Sequence, residues 1–207
     1  MSTPSSASIR EPTRQRGHIR VAAILKAGAE VFSEKGYDAA TMTEIAARSG
    51  TAIGSLYRFF PSKELLADAL LRRYGRQVLD GLAELGSRTT ALTPDGVADA
   101  LVDFRLALQS QRSMAAALAD ARGGSADIRT EYRRAIQEGM ADFLNRTIPN
   151  LPRTKADAMA VVLLHMLKGV SATAEETPAW QSVLLAEFRD LIRLYLAAAR
   201  PAGDATP

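Results

Sequence analysis

Between Thr41 and Lys63 the chain carries small hydroxyls, a phenol, cations and aliphatic side chains, groups able to contact a polyanion. Thr43, Thr51 and Ser55 can make short polar contacts, the Tyr57 hydroxyl can donate to a phosphate oxygen, and Arg58 and Lys63 bring positive charge. Ala52 and Ile53 have the size to touch the methyl group that thymine presents in the major groove. Upstream, Arg14 and Arg16 add cations of the kind that enter a minor groove. Other chemistries lack material. There is no cysteine, which excludes a disulfide framework, a thiolate nucleophile and any Cys-built metal site. The two histidines, His18 and His165, have no evident nucleophile beside them, and no Gly-rich phosphate loop follows a strand. No metal, no cofactor and no enzymatic activity are expected.

Charge placement points the same way. Of 26 cations and 23 anions, nine cations but only five anions lie at or before Lys63. The whole excess of +3 therefore sits in the first third, with Arg10, Arg14, Arg16 and Arg20 crowded at its start. A basic end on a near-neutral body suits a polyanion held by one lobe, although a solvated basic tail has the same charge.

These side chains need rigid short elements to hold them, and the sequence spells them out. Residues 1 to about 15 are rich in Ser, Pro, Thr and Arg and read as a disordered arm. From His18 an apolar stripe of Val21, Ile24, Leu25, Gly28, Val31 and Phe32 recurs at three- and four-residue spacing, and Lys35-Gly36 supplies a stop. Gly28 lies inside that stripe, where close approach of another helix would explain it. Thr41 and Glu44 have capping-box spacing and open a short helix through Arg48. Ser49-Gly50 reads as a turn, Ile53 to Phe60 as another short helix, and Ser62 as the cap of a long helix from Lys63 to about Leu85. Further helices are expected over Asp95–Gln109, Arg112–Ala121, Ala126–Thr147, Lys155–Thr173 and Pro178–Ala199. Period-two runs are absent, so the fold class is all-α. A short helix, a tight Gly turn and a second short helix make a helix-turn-helix candidate.

The run Thr41-Met-Thr-Glu-Ile45-Ala46-Ala-Arg-Ser-Gly50-Thr-Ala-Ile-Gly54-Ser-Leu56-Tyr57-Arg-Phe-Phe60-Pro-Ser62-Lys63-Glu64 resembles the signature of TetR-type (tetracycline-repressor family) transcriptional regulators. Ala29-Glu-Val-Phe32 and Gly36-Tyr37 fit the same pattern, and the resemblance covers about residues 18–66. It implies a core of Ile45, Ala46, Leu56 and Phe60, phosphate contacts from Tyr57 and Lys63, and a backbone or base contact from Thr43. Three positions depart from the pattern. Ala52 stands where Ser or Thr is usual, removing a cap worth about 1 kcal/mol. Thr51 replaces a valine-like residue, either packing by shape or capping a shifted helix start. Phe59 replaces a frequent histidine.

For the rest of the chain the resemblance implies ligand binding and dimerisation. In the last two helices Met159, Leu163, Leu167 and Val170, with Leu184, Phe188, Leu191 and Tyr195, form apolar arcs broad enough to pair with a second copy. A ligand pocket is expected among the middle helices, walled by Phe104, Leu108, Met114, Tyr132, Met140, Phe143, His165 and Met166. Plain core packing accounts for the same spacing. The expected organisation is thus an arm (1–15), a helix-turn-helix domain (16–62), a helical ligand-binding and dimerisation domain (63–200) and a tail (201–207). The reading is a cytoplasmic homodimer on a near-palindromic double-stranded DNA operator, released by a small hydrophobic or amphipathic effector, with no membrane partner. The rival is a helical protein-interaction scaffold whose basic end is incidental.

Overall fold

The computed structural model describes residues 15–88, 93–120 and 126–199. Among these every regular element is helical: α1 (Gln15–Ala39), α2 (Met42–Arg48), α3 (Ile53–Phe59), α4 (Lys63–Arg88), α5 (Pro94–Ala107), α6 (Gln109–Asp120), α7 (Ala126–Thr147), α8 (Arg153–Ala172), a 3-10 turn at Thr173–Glu175, and α9 (Pro178–Ala197). The expected all-α class is the observed one. Helix ends shift by a few residues from the spacing-based bounds, because fraying and capping decide terminal residues. Residues 1–14, including Arg14, and 200–207 lie outside the described residues.

Local chemistry explains the first elements. The helical run of α1 breaks at Gly36, whose φ of 76° favours glycine, and the chain then turns Tyr37 inward. Thr41 caps α2 by accepting from the Glu44 amide at 3.2 Å. The Glu44 carboxylate does not complete the box. It pairs instead with Lys35 at 2.7 Å, tying α2 to the end of α1.

The chain divides into two compact units, residues up to Tyr74 with 110–132, and residues 75–109 with those from Arg133 onward. Two of the three boundaries fall inside the long helices α4 and α7, and the third at the start of α6. In the first unit Ile24, Val31 and Phe32 of α1, Ile45 of α2, Leu56 and Phe60 around α3, and Leu66 of α4 are fully buried. Each such side chain contributes about 1.5–3 kcal/mol by leaving water. Gly28 does sit at a close approach, since a Cβ there would lie 3.3 Å from Leu66 Cδ2 and 3.4 Å from Leu70 Cδ1. Tyr37 stacks on Phe32 with ring centroids 5.7 Å apart, and Tyr74 lies against Tyr132 at 6.1 Å.

In the second unit, glycines let helices meet backbone to ring: a Cβ on Gly169 of α8 would fall 2.4 Å from Phe188 Cζ of α9. Asp99 and Asp103 of α5 bind Arg189 of α9 at 3.1 and 2.8 Å, and Asp95 meets Arg193 at 3.6 Å. Arg105 and Gln109, one turn apart on the continuing chain, donate to the Leu167 and Ser171 carbonyls near the end of α8 at 2.9 and 3.2 Å. Arg153–Glu175, with a mean hydropathy of 1.2, is one described helix long and apolar enough to cross a bilayer. Its stripe of Ala156, Met159, Ala160, Leu163, Leu167 and Val170 is nevertheless packed inside the chain, as a core helix requires.

That packing corrects part of the expected pairing surface. Met159, Leu163, Leu167 and Val170 are buried against their own chain and cannot meet a second one without repacking. The exposed large apolar residues of α8 are Val161 and Val162. On α9, Leu191 is exposed and Leu184, Phe188 and Tyr195 are half-buried, while Trp180, Val183 and Leu194 add exposed surface.

Candidate nucleic-acid interface

α2 closes in a Schellman motif. Gly50, at φ 62°, donates to the Ala47 carbonyl at 3.2 Å, and Thr51 donates its amide to the Ala46 carbonyl at 3.0 Å. Thr51 is buried as the residue following this turn, with its hydroxyl 3.5 Å from the Ser49 carbonyl. It therefore fills the valine-like slot by shape and does not cap α3. Ala52 occupies the N-cap of α3 without a side-chain bond, and its carbonyl accepts from Ser55 and Leu56 at 2.8 and 3.1 Å. The turn thus holds α3 firmly without help from a capping hydroxyl.

The sequence-designated side chains divide into those this geometry presents and those it engages elsewhere. Ile53 and Tyr57, 41% and 46% exposed, lie one helical turn apart on α3 with Ala52, Gly54 and Arg58 also exposed and Ser55 half-buried. Thr43 is exposed in the first turn of α2, and Arg16 is exposed on α1. Arg58 folds over the Phe59 ring, its guanidinium carbon 5.3 Å from the centroid. Phe59 is itself buried, so the aromatic ring in the histidine slot serves the core.

Lys63 differs most from its expected role. Its ammonium donates to the carbonyls of Tyr37, Asp38 and Ala40 at 2.9, 3.2 and 3.0 Å and lies 4.5 Å from the Tyr37 ring centroid. All three N–H donors are thereby used within the chain. The Tyr37 hydroxyl donates to Glu64 at 3.1 Å. Burial, followed by the Glu64 charge, pushes the Tyr37 phenol up to about 12. The Ser62 hydroxyl and the backbone at Glu64 hold that carboxyl below the usual carboxylate range. Lys63, Tyr37 and Glu64 thus clamp the start of α4 to the end of α1.

Arg20 was not among the residues singled out by spacing. Its Nη1 lies 3.4 Å from Ser55 Oγ, reaching from α1 to α3 across 35 positions of sequence. Only its place in the upstream arginine cluster hinted at it.

The eight candidate pocket residues differ in burial. Met114, Met140 and Phe143 are buried core, Phe104, Leu108, Tyr132 and Met166 are half-buried, and His165 is exposed with Nδ1 2.7 Å from the Val161 carbonyl of its own helix. Met114 and Tyr132 belong to the first unit and the others to the second. A cleft of about 430 Å³ opens between the far half of α4 and α5, lined by Gly81, Glu84, Leu85, Arg88, Ala100, Asp103, Phe104 and Ala107. Of the eight, Phe104 alone lines it. Among the described residues no group of three His, Cys, Asp or Glu side chains could hold a metal ion.

Comparison with known proteins agrees with this geometry. Residues 24–70 match the family described as bacterial regulatory proteins, tetR family. The HTH-type transcriptional repressor KstR of Rhodococcus jostii is 46% identical over 54 residues, 26% of this chain and 26% of KstR. Over most of the chain, the uncharacterized HTH-type transcriptional regulator Rv1255c of Mycobacterium tuberculosis is 29% identical across 195 residues, 89% of this chain and 91% of that protein. A solved SmeT–triclosan complex shares the fold with a TM-score of 0.63 at 20% identity, covering 91% of this chain and 95% of the other. The first curated relatives are matched over only 24–31% of their own length. Through residues 24–70, its N-terminal helix-turn-helix module, the chain is similar to the tetR family of bacterial regulatory proteins.

Proposed function

We propose that the protein is a dimeric, effector-responsive transcriptional regulator that represses by occupying a near-palindromic operator. The observation that carries this reading is the α2–turn–α3 unit: a short, rigidly turned helix whose outer face exposes Ile53 and Tyr57 instead of burying them. Ala52 and Ile53 contact thymine methyls, while Thr43, Ser55 and the Tyr57 hydroxyl take short polar contacts. A second copy joins through the exposed faces of α8 and α9, with Val161, Val162, Leu191 and Leu194 as its apolar centre. Two-fold pairing then sets two reading helices on a two-fold site. KstR, which bears the name of a repressor, supports the sign of regulation by likeness of the N-terminal module.

The effector is a small amphipathic or hydrophobic molecule seated in the helical body. The α4–α5 cleft has the volume of a small-molecule site and combines Leu85 and Phe104 with the charged groups of Glu84, Arg88 and Asp103. The SmeT–triclosan complex is a case of this fold with an organic ligand. α4 starts at the Lys63 clamp and carries four of the cleft residues in its far half, so a ligand that displaces its end acts on the helix that anchors the reading head. A coupling of about 1–3 kcal/mol would change occupancy by about 5- to 150-fold.

The test is selection of bound duplexes from a random pool, followed by affinity measurements on winning and scrambled sequences across salt. A regulator enriches a two-fold sequence and prefers it by at least about a thousandfold. Equal binding of winning and scrambled duplexes would refute the reading.

A further inference from the structure

The cations of the first unit's reading head are not equally available. Lys35 is matched to Glu44, Arg48 to Glu34, and the Lys63 ammonium to three carbonyls. Arg58 lies over the Phe59 ring. Arg20, exposed on α1, is matched to no carboxylate among the described residues, and its guanidinium rests on the Ser55 hydroxyl of α3.

That contact has a definite chemistry. A hydroxyl that accepts from a guanidinium turns its own hydrogen away from the arginine and keeps it available for donation. A guanidinium carries five N–H donors, of which this bond uses one. The pair therefore presents two donors, 3.4 Å apart between Nη1 and Oγ, beside the exposed Ile53 and Tyr57 of the reading face. Two donors at that spacing suit the two non-bridging oxygens of one phosphodiester, where an ionised acceptor shortens and strengthens each bond.

We propose that Arg20 and Ser55 together form a phosphodiester subsite at the flank of α3, which sets the position of the reading helix on the duplex without reading a base. This rests on the duplex-binding function proposed above. It makes Arg20, not Lys63, the principal fixed cation of the reading head, and it makes Ser55 a backbone contact instead of a base contact.

The experiment measures binding of a labelled random-sequence duplex and of a duplex selected for tight binding, each across a salt series, for the unaltered chain, Arg20→Ala, Arg20→Lys, Ser55→Ala and the double variant. Arg20 is exposed, so circular dichroism and melting should be unchanged in the two Arg20 variants, and the same measurements on the Ser55 variants check that half-buried position. Arg20→Ala should weaken both duplexes by the same factor, about tenfold, and lower the salt slope by about one. Arg20→Lys should restore the slope while recovering only part of the affinity, because an ammonium lacks the planar fork. The double variant should lose little more than Arg20→Ala alone, since the hydroxyl is oriented by the arginine. An unchanged slope in Arg20→Ala, or a loss confined to the selected duplex, overturns the subsite. Failure of the unaltered chain to bind either duplex overturns the duplex-binding function itself, a distinguishable result.

Discussion

Replacing Lys63 by Met keeps most of the aliphatic stem and removes the ammonium that three backbone carbonyls share. Hydrogen bonds from a charged donor are worth about 1.5–3 kcal/mol each when net contributions are measured singly. The bond to the Asp38 carbonyl is exposed, so water replaces it readily, whereas those to Tyr37 and Ala40 are part-buried. The nearby Tyr37 ring, 4.5 Å from Nζ, adds about 0.5–1 kcal/mol of cation–π attraction. Partial rehydration of the freed carbonyls returns some of this, leaving an expected loss of about 2–4 kcal/mol. For a chain of this size that lowers the melting temperature by about 4–16 °C. Urea unfolding and thermal melts of Lys63→Met measure it. A variant with unchanged stability but a salt slope on duplex DNA reduced by about one would refute the clamp and return the ammonium to a phosphate.

Other perturbations test separate parts of the structure. Asp68 of α4 is buried and its Oδ1 lacks a hydrogen-bond partner, and burial pushes its carboxyl above the usual range despite Arg72 of α4 and Arg129 of α7, with Glu64 and the Tyr37 phenol also near. The folded state then holds the proton more tightly than the unfolded one, so this group's contribution is lost as pH rises from the unfolded value of about 3.9 through the folded one. Asp68→Asn should therefore melt higher than the unaltered chain at pH 7, with the gap closing below about pH 4; a lower melt at every pH would contradict this account. Gly169→Ala drives a Cβ to 2.4 Å from Phe188 Cζ and should cost about 1–3 kcal/mol, whereas Gly28→Ala, meeting only flexible leucine tips at 3.3 Å, should change stability by less than about 1 kcal/mol. Equal melts for the two glycine variants would sink that contrast. Leu194, 62% exposed on α9, tests the pairing surface: Leu194→Glu should keep its helicity and melt yet sediment as a monomer, and an unchanged dimer would move the interface elsewhere.

The sequence by itself determined the local elements, because their signals act within a few residues. Thr41 and Glu44 marked the start of α2, Gly50 the turn after it, and the alternation of three and four the buried stripe of α1. It also showed that Gly28 needed a close neighbour, which Leu66 and Leu70 supply. The tertiary structure alone decided what each side chain does with its reach. Periodicity showed that α8 has an apolar stripe, but burial by its own chain and burial by a partner leave the same spacing, and packing assigned Met159, Leu163, Leu167 and Val170 to the inside. Lys63 reads as a solvated or phosphate-bound cation until the end of α1 arrives beside it, and Arg20 as one arginine of a basic arm until Ser55 comes within 3.4 Å. Such contacts join positions 23 to 35 residues apart. No pattern along a helix encodes them, because they depend on where two helices cross and on which donors are left over after each helix has satisfied its own backbone.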